Sequence, residues 1–313
     1  EIAQENGGDD RDTSGPVNLL ARVHCLLGEP VAATTYARRS VGQMHAQGDH
    51  VEEAAVSGVL AFALAQHGEF DEALAAADHG VALSRRLDHL PTVAACLMFR
   101  GLVLGWYGRL DRALPDFEQG LEACAASGDV FRKYLTLGWK GESCLIAGDV
   151  TRARAALEEC LELGSTLGTV FHRGAFEAFL AKAMTEQGDA DRALRMSEKA
   201  VATATQAGEP WPRSIALRIA GEVQLSAPEP DLDLAESVIG NAIAIQKERQ
   251  CLCDLAWSCL VRGQVLVARG RADDAGESFA EARSRFEALG LVRGVSLAAD
   301  ALRLLAAEAS GTR

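Results

Sequence analysis

Aromatic residues are scarce in this 313-residue chain: Phe, Trp and Tyr together make up 5%, although hydrophobic residues reach 48%. The apolar mass is therefore mainly Ala, Leu and Val, a composition that suits close-packed helices better than sheets. Positive charge is also short. With 31 Lys and Arg against 44 Asp and Glu, the formal net charge is −13. That balance argues against direct nucleic-acid binding and against an anionic membrane surface, both of which call for clustered cations. No run of about 18 apolar residues occurs, so no transmembrane helix is expected. The expected compartment is the cytoplasm.

Catalytic signatures are missing as well. There is no G-x-x-x-x-G-K-[ST] phosphate loop, and "GWKGESC" at 138–144 has the wrong spacing for one. No H-E-x-x-H, G-x-S-x-G or DNA-reading helix-turn-helix pattern appears. His24 and Cys25 are adjacent, and neighbours on a helix point about 100° apart, so they make no catalytic dyad. Glu142 and Glu222 occupy equivalent sites two repeats apart, roughly 20 Å at about 10 Å per helix layer, too far for paired acid–base work. The eight cysteines, at 25, 96, 124, 144, 160, 251, 253 and 259, mostly sit in helical patterns and read as buried thiols. Cys251, Cys253 and Cys259 come nearest to a soft-metal set but lack a second ligand pair. The expectation is no catalytic residue, no cofactor and no metal.

What is present is a rhythm. Gly28, Gly68, Gly108, Gly148 and Gly188 are evenly spaced, forty positions from one to the next, and Gly270 continues the series after a two-residue insertion. Five residues after each comes an alanine: Ala33, Ala73, Ala113, Ala153, Ala193 and Ala275, with Ala235 in the unit whose glycine gives way to "SAPEPD". A second set, Gly48, Gly128, Gly168, Gly208 and Gly290, falls midway. Two breaks in every period imply two helices per repeat. At a break such as "GEFDEAL" (68–74), Gly68 can end one helix in the left-handed conformation and Asp71 can cap the next. Stacked pairs would bury one continuous core. About seven repeats are expected over 16–308, followed by a capping helix, with 1–15 and 309–313 as disordered tails. Because the chain begins with Glu1 rather than Met, it is expected to be a processed product or an excised part of something longer.

These residues resemble the tetratricopeptide repeats. Ala61, Gly101, Gly141, Ala181, Gly221 and Gly263 match the family's small residue in the first helix, Ala73 and its counterparts match its alanine in the second, and Phe117 and Phe279 match its bulky second-helix position. The forty-position period is similar to the longer repeats of bacterial signalling proteins. Residues 255–290 look like the arrays of ATPase-linked transcription regulators and nucleotide cyclases. The resemblance implies an all-α, right-handed superhelical solenoid in a single domain, whose first helices line a concave groove.

Within that frame Phe62, Leu102, Glu142, Lys182, Glu222 and Gln264 form one mid-helix row, and its three charges, Glu142, Lys182 and Glu222, are expected to line the groove, since an unpaired buried charge is costly. Three triplets, Phe131-Arg132-Lys133, Phe171-His172-Arg173 and Trp211-Pro212-Arg213, recur with the same period near helix starts. Two readings stand side by side. Their basic residues and helix N-termini edge the groove and receive an anionic or extended ligand, or their aromatics fill gaps between repeats while the cations pair with surface acids. Trp139, Phe179 and Arg218 complete the set of groove residues, and Trp106, Met98 and Trp257 carry the same two readings.

The functional expectation is a non-enzymatic scaffold that recognises a protein or peptide segment as the sensory or regulatory part of a larger bacterial signalling protein. Two alternatives remain open: a small-molecule-binding or enzymatic helical-repeat domain, and a homo-oligomer formed through the apolar helix at 291–305.

Overall fold

Among the described residues, eleven glycines with positive φ punctuate the chain: Gly28, Gly48, Gly68, Gly108, Gly128, Gly148, Gly168, Gly188, Gly208, Gly270 and Gly290. Asp88 and Gln250 fill two further slots of the same series in the same left-handed conformation, with φ of 52° and 59°. A helix ends at each of these positions because the left-handed residue turns the chain while its N–H, or that of the next residue, bonds back to the last turn. At Gly68, for example, Gly68 N–H donates to Ala65 O and Glu69 N–H to Leu64 O.

The computed structural model describes residues 10–311, which form fifteen helices and, among those residues, no strand. They are α1 (Asp10–Leu27), α2 (Pro30–Gln47), α3 (His50–His67), α4 (Phe70–Arg86), α5 (Leu90–Trp106), α6 (Leu110–Ser127), α7 (Val130–Ala147) and α8 (Val150–Leu167). The series continues with α9 (Arg173–Glu186), α10 (Ala190–Gln206), α11 (Pro210–Leu225), α12 (Leu232–Arg249), α13 (Leu252–Ala268), α14 (Ala272–Ala288) and α15 (Val292–Gly311). Seven pairs followed by one further helix match the expected repeat count.

Three local expectations need correction. Residues 10–15, expected as tail, belong to α1. The rest of that tail lies outside the described residues. At the other end α15 runs past 308 to Gly311, residues 312–313 lying outside the described set. Asp71 does not cap α4. The helix begins one residue before it, with Glu69 at the N-cap position, so Asp71 joins Glu72 in the first turn. Side-chain caps do occur at Asp49, Asp149 and Asp231, each accepting a backbone N–H three residues on.

The helices gather into two compact units, Glu1–Ser143 and Cys144–Arg313, where a single domain was expected; the boundary falls within α7. In each unit consecutive helices pack as pairs, and odd-numbered helices also touch the next odd one: α1 with α3 and α3 with α5 in the first unit, α9 with α11 and α11 with α13 in the second.

The packing explains the small residues. Ala33, Ala73, Ala113, Ala153, Ala193, Ala235 and Ala275 are all fully buried. A methyl group placed on Gly101 would lie 2.9 Å from the Phe117 ring, on Gly221 2.6 Å from Ile239, and on Gly263 2.4 Å from Phe279. Each of these three glycines of a first helix is therefore the socket for a bulky residue of the second. All eight cysteines are buried, and none is in a disulfide.

Candidate functional site

In the C-terminal unit the odd helices α9, α11 and α13 place their last turns side by side around an open cleft of about 520 Å³. Lys182, Thr185 and Glu186 come from α9, Glu222 and Ser226 from the end of α11, and Gln264 from α13, over a floor that includes Val223 and Val267. Lys182, Glu222 and Gln264 are successive members of the mid-helix row read from the sequence. Repetition brings them together: residues one period apart hold the same position on adjacent odd helices.

The charges of this cleft are fixed. Lys182 Nζ donates to Glu222 Oε2 at 2.6 Å, and Arg218 NH1 donates to Glu222 Oε1 at 2.6 Å. Burial pushes the Glu222 carboxyl up, but Lys182 and Arg218 together outweigh it and hold the group below its ordinary range. Arg218 itself is buried. On the next odd helix, Trp211 Nε1 donates to the buried Asp254 at 2.8 Å. Burial raises the Asp254 carboxyl, with Arg218 and the indole opposing the rise.

The triplets do not form a uniform row. Val130 opens α7, so residues 131–133 do lie in its first turn, where Arg132 N–H donates to Asp129 at 2.8 Å. Phe131 is exposed, while Arg132 and Lys133 are partly buried. In the second triplet the chain forms a turn before α9, and His172 is its N-cap in the left-handed conformation. The N–H of His172 donates to both carboxylate oxygens of Glu209 at 3.1 Å. That helix start is therefore occupied by a side chain of the protein itself rather than presented to a ligand. Arg173 is held by Glu177 and by Ser165, each at 3.0 Å. In the third triplet Trp211 is fully buried, its ring edge-on to His172 at 5.5 Å, and Arg213 is exposed.

Six of the expected groove residues are in fact buried: Trp139, Glu142, His172, Phe179, Trp211 and Arg218. For Glu142 the reason is local. Trp106 Nε1 donates to it at 2.9 Å, and Phe62 packs against the rings of Trp106 and Trp139 at 5.7 and 6.3 Å in the N-terminal unit. A carboxylate with an indole donor can enter a core where an unpaired one cannot. His172 shows the complementary case: with Phe171, Phe176 and Trp211 around its ring, burial pushes its pKa down to about 3.

Sequence reasoning missed Thr185, Glu186 and Ser226, which the helix ends bring to the cleft. It also missed a cluster in the N-terminal unit, where His45, His50 and His79 converge on the buried Glu53. The spacing H-x4-H-x2-E across the α2–α3 turn was the available signal. By contrast, Cys251, Cys253 and Cys259 are buried at the start and middle of α13.

No protein-family profile matches the chain. Over 131 residues, 42% of its length, it is 28% identical to proteins named as HTH-type transcriptional regulators of Mycobacterium bovis and Mycobacterium tuberculosis, of which the match covers 15%. Its fold is the tetratricopeptide-type helical repeat. The Rap conjugation gene regulator of plasmid pLS20, solved with the Phr* peptide, superposes with a TM-score of 0.71 at 12% identity over 88% of this chain and 74% of that one. The apo form of RapI gives 0.63 at 15% identity, covering 88% and 98%. A signal-transduction ATPase with a tetratricopeptide repeat sensor from Pyrococcus horikoshii gives 0.57 at 11% identity, covering 97% and 49%. Among the described residues no helix is long and apolar enough to cross a membrane.

Proposed function

We propose that the chain is a non-enzymatic recognition scaffold that binds an extended peptide segment of a partner, as the regulatory part of a larger bacterial signalling protein. The cleft between α9, α11 and α13 carries this reading. Its walls offer what a peptide backbone needs: Gln264, Thr185 and Ser226 supply donors and acceptors, while Val223 and Val267 supply apolar floor. The charges of Lys182 and Glu222 already satisfy one another, so the site suits a largely neutral segment better than a highly charged one. Fold likeness to a Rap protein solved with a peptide supports the same reading, as does partial likeness to regulators whose names place them in transcription control.

The test is selection from a peptide-display library, with Lys182→Glu and Gln264→Ala beside the native chain. Selected peptides should lose at least tenfold in affinity on either variant, with the far-UV helical signal unchanged. Enrichment of no peptide, or equal binding by all three proteins, would refute the reading; retention of a metabolite instead would turn the cleft into a small-molecule site.

A further inference from the structure

Among the described residues, buried carboxylates are compensated in a consistent way, with one exception. Asp116 takes two hydrogen bonds from Arg100, both 2.7 Å; Glu177 pairs with Arg173 and Lys199; Glu142 and Asp254 each accept an indole N–H. Glu53, 3% exposed, has neither guanidinium nor ammonium nor indole. Three imidazoles surround it instead. His50 Nδ1 lies 2.9 Å from one carboxylate oxygen, His79 Nε2 2.9 Å from the other, and His45 Nδ1 3.3 Å from both.

Each histidine comes from a different helix. His45 lies in the last turn of α2, His50 opens α3, and His79 projects from α4. The reversal at Gly48 and Asp49 folds His45 back over His50, with ring centroids 6.1 Å apart. The ligand atoms of His45, His50 and Glu53 all lie within 4.8 Å of one another. His24 and His67 also meet a carboxylate, but each meets one glutamate alone.

We propose that His45, His50 and Glu53, joined by His79, bind one divalent transition-metal ion of the zinc class and so clamp α2, α3 and α4 of the N-terminal unit. The donor set is the reason for the class. Imidazole nitrogen with a single carboxylate favours zinc, and by the same chemistry nickel or copper, over magnesium or calcium, which prefer all-oxygen shells. Tetrahedral zinc with ligand bonds of about 2.0–2.1 Å places neighbouring ligand atoms about 3.3 Å apart. The 2.9–3.3 Å nitrogen–oxygen separations around Glu53 are close to that edge. His45 and His50 already point Nδ1 at the site, and His79 points Nε2.

Access is open. The side chains of His45, His50 and His79 are 72%, 44% and 47% exposed, so an ion can reach the carboxylate from solvent between the rings.

The experiment is calorimetric titration of Zn²⁺ into the tag-free chain at neutral pH, beside Glu53→Gln, His50→Ala and His45→Ala. One equivalent should bind the native chain and raise its Tm, and each substitution should weaken binding at least tenfold. His45→Ala guards against misfolding as an explanation, since its ring is largely in solvent. Co²⁺ in place of Zn²⁺ should give the intense visible bands of a four- or five-coordinate site. Absence of one-equivalent binding, or binding unchanged in both His45→Ala and His50→Ala, would overturn the proposal. So would a thermal stability that follows imidazole protonation while ignoring zinc.

Discussion

Trp211 and Asp254 meet across α11 and α13, the indole N–H donating to the carboxylate at 2.8 Å inside a region where both residues are buried. Replacing Trp211 with Phe keeps most of the apolar contact and removes the donor. The loss should cost about 1–3 kcal/mol, the usual penalty for stranding a buried polar group. Asp254→Asn lessens the need for that donor, so the double variant should be less destabilised than the sum of the two singles. Urea denaturation of all four proteins measures the coupling, and strict additivity would show that the hydrogen bond contributes nothing.

Burial of the His172 ring predicts a pH dependence of definite sign. Its folded pKa of about 3 lies below the ordinary value of 6.5, so between those values the unfolded chain binds a proton that the folded chain refuses. Stability from this group is therefore complete above pH 6.5 and is lost as the pH falls, at up to about 1.4 kcal/mol per pH unit. Glu209 and Asp254, whose carboxyls are raised by burial, work in the opposite direction. The useful comparison is thus native chain against His172→Phe, which keeps an aromatic ring beside Phe171 and Trp211. The variant should lose less stability between pH 6.5 and 4.5, as read from Tm; parallel curves would show that His172 titrates normally.

Gly263 and Gly240 should respond to alanine with opposite signs. The new methyl at Gly263 would stand 2.4 Å from Phe279, whereas at Gly240, an exposed position within α12, nothing lies within 4 Å. Gly263→Ala should cost about 1–3 kcal/mol through overpacking. Gly240→Ala should gain about 0.5–1 kcal/mol from better helix propensity. Equal effects in thermal denaturation would remove the socket interpretation of the small residues.

Gln250 ends α12 with φ of 59°, in a slot of the type that glycine fills at eleven other turns. A side chain in the left-handed region costs about 1–2 kcal/mol. Gln250→Gly should therefore recover part of that, about 1 kcal/mol, against the general tendency of glycine to destabilise. A lower Tm would mean that Gln250 is held there by its side chain.

The turn glycines were the legible part of the sequence because a left-handed helix end is a backbone requirement and leaves its mark on a single residue. The same holds for the fully buried alanines five positions later. Burial of individual polar residues was not legible. Glu142 and Glu222 occupy the same repeat position, yet one is sealed beneath Trp106 while the other opens on the cleft, and the difference comes from partners on neighbouring helices. Trp211 and Phe131 share a triplet pattern and the second position of their helices, yet sit fully buried and exposed; Trp211 is enclosed by partners such as His172 and Asp254 that its own segment does not reveal. His79 lies 26 residues from Glu53 and meets it only once α4 has folded against α3.

The left-handed turns have a further consequence for how such a chain can change length. At most breaks the chain meets the next helix through a glycine with φ between 65° and 95°, whichever pair it is leaving. Removing or duplicating the stretch between two equivalent turns would leave the joint at the splice chemically the same. Length can therefore change in whole helix pairs without inventing a new connection, and natural variation in size should come in steps of that unit more readily than in single residues.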